Sequence, residues 1–231
     1  MKKIVILTGA GISAESGLGT FRDKDGVWSQ YDLEEVATPE GFFRNPEKVH
    51  HFYNMRRANA MAAQPNAAHD ALARLERDWP GQVILVTQNI DDLHERAGHQ
   101  RVIHMHGELM EAKCAACDAH WPAPERMRAS DPCPECGELS TRPDIVWFGE
   151  IPYDMDLIEK HLTQCDVFAS VGTSGQVYPA AGFVLQANAM GAHTVELNLE
   201  PSELSGMFEE RHEGPASEIV PDWVEALLSR P

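Results

Sequence analysis

A chain of 231 residues with 43 % apolar and 24 % charged side chains is long enough to bury a continuous core and too apolar to stay disordered. One large domain, or a domain carrying a small insert, is expected. Nineteen Lys and Arg against thirty-six Asp and Glu give a formal charge of −17, a field that repels phosphate backbones and anionic lipids, so neither nucleic acid nor a membrane is an expected partner.

In chain order, Ile4 to Leu7 is an apolar run too short for the core of a signal peptide and reads as a buried first strand. No stretch reaches the roughly 18 apolar residues of a membrane span, and a cytoplasmic protein is expected. Gly9-Ala10-Gly11-Ile12-Ser13-Ala14 follows the strand and fits GxGxxA, in which glycines let backbone amides approach a pyrophosphate. A tight turn without a ligand is the alternative. A hydride-transfer domain would need a strand ending in an acid about 20 residues on, but Glu34 and Glu35 stand in helical sequence. Thr20-Phe21-Arg22-Asp23, with Trp28 beyond it, forms a polar and aromatic cluster in a glycine-spaced loop. Residues 29–78 carry helical spacing, with Pro39 and Pro46 at helix starts, and read as a helical insert or lid. Tyr53 and Arg56 in it are three apart and share a helix face.

Val83 to Val86 reads as a second strand, ending in Thr87-Gln88-Asn89-Ile90-Asp91. Helix capping is the plain alternative for Asn89 and Asp91. Val102-Ile103 leads into His104-Met105-His106-Gly107-Glu108, where His106 is the prime candidate for a base. Cys114-Ala-Ala-Cys117 and Cys133-Pro-Glu-Cys136 lie fifteen residues apart. That spacing suits two turns that present four thiolates to one zinc, leaving no open position for water, so the ion would be structural. Cys165 reads as a buried apolar residue. Phe148-Gly149-Glu150 reads, on its own, as a glycine turn with an exposed acid. Strands at Val167 to Val171 and Thr194 to Leu197 end in Gly172-Thr173-Ser174 and Asn198-Leu199-Glu200, and Trp223 to Leu228 looks like a closing amphipathic helix.

The expected fold is therefore α/β: a Rossmann-like parallel sheet built from residues 1–28, 79–106 and 145–231, a helical insert over 29–78, and a small zinc-binding module over 107–144. Ligands of such sheets bind at the carboxyl ends of the strands, where four of the motifs converge.

Taken together, Gly-Ala-Gly-Ile-Ser, Thr-Phe-Arg-Asp, Thr-Gln-Asn-Ile-Asp, His-Gly-Glu, the two CxxC pairs, Phe-Gly-Glu, Gly-Thr-Ser and Asn-Leu-Glu stand in an order that resembles the sirtuin family, including its bacterial members, from Gly9 to Ala216. The resemblance implies an NAD-dependent protein-lysine deacylase with one structural zinc ion. The acyl-lysine amide oxygen would attack the ribose carbon bearing nicotinamide, giving an alkylimidate, and His106 would act as base on the ribose hydroxyls. An unperturbed imidazole would suit that task. The resemblance further implies that Asp91 and Ile90 hold the nicotinamide carboxamide while Asn89 and Gln88 face the ribose. Phe21 would block nicotinamide re-entry and Arg22 would order its loop. The remaining nucleotide contacts would come from Gly9, Ala10, Gly11, Ser13, Glu15, Thr20, Gly172, Thr173, Ser174, Asn198, Leu199, Glu200 and Ala216. Phe148, Gly149, Glu150 and Val177 would line the channel for an extended substrate peptide. Ala37, Tyr53 and Arg56 match the class that prefers acidic acyl groups, in which a Tyr-x-x-Arg pair reads the acyl carboxylate and a small alanine widens the pocket. A monomer acting on acylated protein lysines is the expectation. A mono-ADP-ribosyltransferase and a silent NAD- and zinc-bearing interaction module are the alternatives.

Overall fold

The computed structural model describes residues 2–19 and 31–229. Thr20, Phe21, Arg22 and Trp28 lie outside the described residues.

Six strands form an all-parallel sheet: β1 (Lys3–Thr8), β2 (Gln82–Thr87), β3 (Val102–His104), β7 (Val167–Val171), β8 (His193–Asn198) and β9 (Glu210–Glu213), in the spatial order β3-β2-β1-β7-β8-β9. A second sheet, antiparallel and ordered β5-β4-β6, is made by β4 (Gly107–Cys114), β5 (His120–Pro122) and β6 (Thr141–Ile145). The helices are α1 (Ala10–Ser13), α2 (Leu33–Val36), α3 (Pro39–Arg44), α4 (Pro46–Ala62), α5 (Ala67–Asp78), α6 (Leu93–Arg96), α7 (Met155–Leu162), α8 (Phe183–Ala189) and α9 (Ala216–Leu228). This is the expected Rossmann-like parallel sheet with a second small sheet.

The four apolar runs became strands because each is buried on both faces. Val167–Val171 is buried at every position, and β1 is buried at every position after Lys3. Such strands read as continuous apolar runs rather than alternation. The edge strands β3 and β9 escaped the sequence reading for the converse reason: neither has a buried residue. One core layer packs α5 and α9 on the sheet through Ala68, Leu72, Leu75, Val220, Trp223 and Leu227. The opposite layer packs α7 and α8 through Ile158, Leu162, Phe183 and Val184. Helix α5 thus belongs physically to the main core, although it lies at the end of the segment read as a lid. Pro39 and Pro46 occupy first helical positions, behind the capping side chains of Thr38 and Asn45.

Because β1 has β2 on one side and β7 on the other, the chain reverses its direction of sheet growth at β1. The crevice outside the carboxyl ends of β1 and β7 is where parallel sheets bind ligands. Gly9 and Gly11 are required there for packing. A Cβ on Gly9 would come within 2.8 Å of the Gly172 carbonyl oxygen, and one on Gly11 within 2.7 Å of Gly172 Cα. The Gly11 amide donates to the Gly172 carbonyl at 2.9 Å. Gly172 itself sits at φ +64°, a conformation that strains any L side chain.

Behind this crevice the core holds His69 and His94, both fully buried, with ring centroids 5.0 Å apart. Burial drives the pKa of His69 down to about 4 and that of His94 well below the ordinary histidine value. Both are therefore neutral in the folded protein and must gain a proton in acid, which the unfolded chain does more readily. Their contribution is complete above the unfolded value of 6.5 and is lost as pH falls towards about 4. The melting temperature should hold steady above that window and decline through it. Calorimetry across this range checks the expectation, and an unchanged melting temperature would contradict it.

Candidate functional site

The loop after β2 is gripped from several directions. Gln88 N–H donates to the Thr8 carbonyl at 2.9 Å, and Asn89 N–H donates to Thr87 Oγ1 at 3.0 Å. The Asn89 side-chain amide donates to the Gly9 carbonyl at 3.1 Å and to Ser13 Oγ at 3.2 Å. Ser13 Oγ in turn donates to Asp91 Oδ2 at 3.3 Å. Asp91 Oδ1 accepts from Leu93 N–H at 3.2 Å, a cap-like bond at the start of α6. Burial raises the pKa of Asp91, against the pull of the hydrogen bonds from Leu93 and Ser13 and the charges of Arg56 and His104. Ile90 passes its carbonyl to Leu109 N–H at 2.8 Å, tying the loop to the root of the small sheet.

Two histidines two residues apart address this loop, and hydrogen bonding separates their chemistry. His106 Nδ1 lies 3.1 Å from the Gln88 carbonyl oxygen. A carbonyl only accepts, so Nδ1 carries the proton and the neutral ring keeps its lone pair on Nε2, the form a general base needs. His104 faces the Asn89 carbonyl through Nδ1 at 3.3 Å and Glu95 Oε1 through Nε2 at 2.8 Å. Both its partners are acceptors, which favours the doubly protonated ring. Its pKa is raised as hydrogen bonding and charge from Glu95 outweigh burial. The pKa of His106 is lowered from 6.5 by burial, partly offset by the Gln88 bond. The expectation of an unperturbed imidazole is thereby corrected: His106 is a weaker base, but one already deprotonated at neutral pH.

On the far side of the crevice, Asn198 Nδ2 donates to the Thr173 carbonyl at 2.7 Å and Thr173 Oγ1 lies 2.8 Å from Ser170 Oγ. Leu199 is exposed, as are Glu200 and the rim of Ser174 in part. Gln88, Thr173 and Val177 line one small cavity together with Leu7, Ser170 and Ser202. Glu15 has its carboxylate committed elsewhere: it accepts from Ser217 N–H at 2.9 Å and Ser217 Oγ at 2.6 Å, beside Ala216 at the start of α9.

Ala37, Tyr53, Ile90, Leu109 and Trp147 share one buried cluster, which joins helices α2 and α4, the loop after β2 and the small sheet. Tyr53 Oη accepts from Trp147 Nε1 at 2.9 Å, so its own proton remains to be donated. Burial pushes the Tyr53 pKa up to about 12, which keeps that proton in place. Arg56 lies one turn on, its guanidinium carbon 5.9 Å from the Phe52 ring centroid. Burial lowers its pKa, against the attraction of Tyr53 and Asp91, yet arginine stays charged. Phe148 N–H donates to the Ala37 carbonyl at 2.9 Å while its ring is half exposed, and Gly149 turns at φ +91°. Glu150, expected along a peptide channel, accepts from both terminal nitrogens of Arg142 at 2.7 and 2.9 Å and from Trp147 N–H at 2.8 Å. Arg142 stacks over Trp147 at 3.4 Å from the ring centroid. Neither Arg142 nor Trp147 carried a motif signal; Trp147 was visible only as the residue before Phe-Gly-Glu. His69 was signalled by Asn66-x-x-His69, a capping box at the start of α5, and its Nε2 lies 3.4 Å from Ser13 Oγ.

The four thiols of Cys114, Cys117, Cys133 and Cys136 lie within 4.8 Å of one another, with Cys114–Cys136 and Cys117–Cys133 sulfur separations of 3.7 Å. A tetrahedral ion with bonds of about 2.3 Å requires sulfur separations near ~3.8 Å, so the set fits zinc. The residue after each pair, Asp118 and Gly137, has positive φ and donates its amide back to the first cysteine's carbonyl, making two equivalent knuckles.

The model of the Sir2 family matches residues 9–179. The chain belongs to the Sir2 family. A relative called NAD-dependent protein deacylase, from Caulobacter vibrioides, is 59 % identical over 232 residues, covering 99 % of this chain and 98 % of its own. Among solved structures, a Sir2 homolog–NAD complex superimposes with a TM-score of 0.90 at 40 % identity, covering 99 % of this chain and 91 % of that one. A Sir2 variant with a deacetylated p53 peptide and 3′-O-acetyl ADP-ribose gives 0.83 at 28 % identity over 96 % and 92 % of the two chains. In this Sir2 protein the loops carrying the sequence motifs stand at the carboxyl ends of a parallel sheet.

One zinc ion per chain should be found by metal analysis. Cys133→Ala should lose the ion and several kcal/mol of stability, since binding is coupled to local folding. Retention of full stability after the ion is stripped by a chelator would contradict a structural site.

Proposed function

We propose that this protein is a cytoplasmic NAD-dependent protein-lysine deacylase that removes acidic acyl groups, succinyl and malonyl, as well as acetyl. The single observation that carries the basic reaction is the His106 tautomer: a partly buried, neutral imidazole with Nδ1 pinned to the Gln88 carbonyl. The family and the names of its relatives point the same way.

NAD would supply a ribose carbon whose bond to nicotinamide breaks as the acyl oxygen attacks; a ribose hydroxyl would then take the acyl carbon, and addition of one water with loss of the lysine amine would leave O-acyl-ADP-ribose. Asn89 is held by Gly9 and Ser13, which puts a fixed polar group beside the loop that would receive the nicotinamide ribose. Asp91 and Ile90 would hold the carboxamide, and His106 Nε2 would take the proton from a ribose hydroxyl. Gly9, Ala10, Gly11, Ser13, Gly172, Thr173, Ser174, Asn198, Leu199, Glu200 and Ala216 would bound the pyrophosphate and adenosine, with Glu15 supporting that wall through α9. Phe148, Gly149 and Val177 would receive the peptide, and the acidic surface would favour lysine-rich segments. Nicotinamide release should require both NAD and an acylated lysine. His106→Tyr should abolish turnover while leaving NAD binding measurable by calorimetry. Burial depresses the His106 pKa, so activity should be full at neutral pH and fall in acid with a midpoint below 6.5. An acid limb centred above that value would remove His106 from the role of base.

Acidic-acyl removal rests on Tyr53 and Arg56. A carboxylate entering an apolar tunnel loses its hydration, a large cost unless a fixed cation and a donor meet it. Arg56 supplies the cation, and Tyr53 supplies a proton that Trp147 leaves unused. A charge-assisted hydrogen bond contributes about 1.5–3 kcal/mol, so Arg56→Met should reduce desuccinylation roughly ten- to a hundredfold, with deacetylation changed much less. Equal losses on succinyl- and acetyl-lysine peptides would show that the pair holds the lid rather than reads the acyl group.

A further inference from the structure

Helix α4 carries a second set of side chains, next in sequence to the acyl-reading pair. Asn54 makes a two-point clamp on the backbone of Met127, in the zinc-bearing segment: its Nδ2 donates to the Met127 carbonyl at 2.8 Å and its Oδ1 accepts from Met127 N–H at 2.9 Å. Arg57 is 1 % exposed, among the largest fully buried side chains of the protein. Its Nε donates to the Leu109 carbonyl at 2.7 Å, Nη1 to Asn54 Oδ1 at 2.9 Å, and Nη2 lies 3.3 Å from Met127 Sδ. No carboxylate is among these partners. Burial alone pulls the Arg57 pKa down to about 10. A desolvated cation that meets only neutral acceptors among the described residues is costly, and cheaper apolar packing would serve a plain helix–sheet contact.

The contacts have a geometry that a mere strut would not need. Leu109 gives its carbonyl to Arg57 and takes the Ile90 carbonyl on its own amide at 2.8 Å. One residue therefore connects α4 to the loop after β2. Residues 53 and 54 are neighbours on the helix, about 100° apart in azimuth, as are 56 and 57. A rotation of α4 that loosened Asn54 and Arg57 would swing Tyr53 and Arg56 by the same angle.

We infer that Asn54 and Arg57 are specificity-determining positioning residues: by clamping α4 to Met127 and Leu109 they set where Tyr53 and Arg56 meet an acyl carboxylate. This rests on the acidic-acyl reading above and deepens it. The zinc-bearing segment, through Met127, thereby shapes acyl selectivity at a distance. An acetyl group, having no carboxylate, does not sense the azimuth of α4. Nothing in the clamp touches His106.

The test compares succinyl- and acetyl-lysine peptides on the zinc-loaded protein, with Asn54→Ala and Arg57→Lys beside Arg56→Met. Asn54→Ala removes three hydrogen bonds, two to Met127 and one from Arg57, and should raise KM for the succinyl peptide about tenfold, with kcat, KM for the acetyl peptide and KM for NAD within about twofold. One zinc per chain should remain. Arg57→Lys keeps the charge but not the three-way fork, and should shift selectivity in the same direction. Hydrogen exchange supplies a readout apart from activity: amides of α4 and the Leu109 amide should exchange faster in both variants. If Arg56→Met loses desuccinylation selectively while Asn54→Ala and Arg57→Lys depress both substrates alike, or leave exchange unchanged, the inference fails and the acidic-acyl reading stands. A wild-type protein that removes acetyl but not succinyl groups overturns both.

Discussion

The rest of the site depends on the backbone-to-backbone contact between the ends of β1 and β7. Gly9 and Gly11 lie against Gly172 so closely that a single methyl group on any of the three would meet main-chain atoms. The sequence pattern around Gly9 and Gly11 suggested room for a phosphate. What the fold shows first is room for another strand end. The two purposes are compatible, since a loop pressed flat against its neighbour leaves its outer amides uncovered. The contact also presents the Gly9 carbonyl to Asn89 and places Ser13 between Asn89 and Asp91. An added Cβ here would shift the whole polar array, not one ligand contact.

From that contact the site extends through bonds that need no charge pairing. The loop after β2 hangs between the Thr8 carbonyl on one side and Leu109 N–H on the other. His104 and His106 both donate to its consecutive carbonyls. Two histidines on one short stretch differ in chemistry because the Glu95 hydrogen bond and the nearby Glu95 and Glu108 charges raise the pKa of His104, whereas burial lowers that of His106. The electrostatic division of labour is local.

The small sheet contributes more than a metal-bound knob. Its root residues Leu109 and Ile145 lie in the same buried cluster as Tyr53, Ile90 and Trp147. Arg142, stacked on Trp147 and paired with Glu150, fixes the indole whose N–H orients the Tyr53 hydroxyl. Helices α2 and α4, the strand-end loop and the root of the small sheet therefore share one core, and a change in any of them is felt by the others because packed interiors transmit strain.

Much of this was legible in the sequence, and the residues show why. Strands buried on both faces announce themselves as apolar runs, prolines mark helix starts, and paired CxxC motifs state a metal geometry by spacing alone; β1, β2, β7, β8, α3, α4 and the thiol cluster emerged accordingly. The edge strands β3, only three residues long, and β9, polar throughout, have no fully buried residue and carried no such signal. Nor could sequence place α5 on the main core, since its amphipathic stripe says that it packs but not on what. Tertiary structure alone decided the partners: that Glu150 turns to Arg142, that Glu15 turns to Ser217, and that Arg57 is buried against Leu109 and Met127. The physical reason is one of range. Periodicity and motif spacing are local properties of the chain, whereas hydrogen-bond partners and the burial that shifts a pKa are set by segments brought together from tens of residues away.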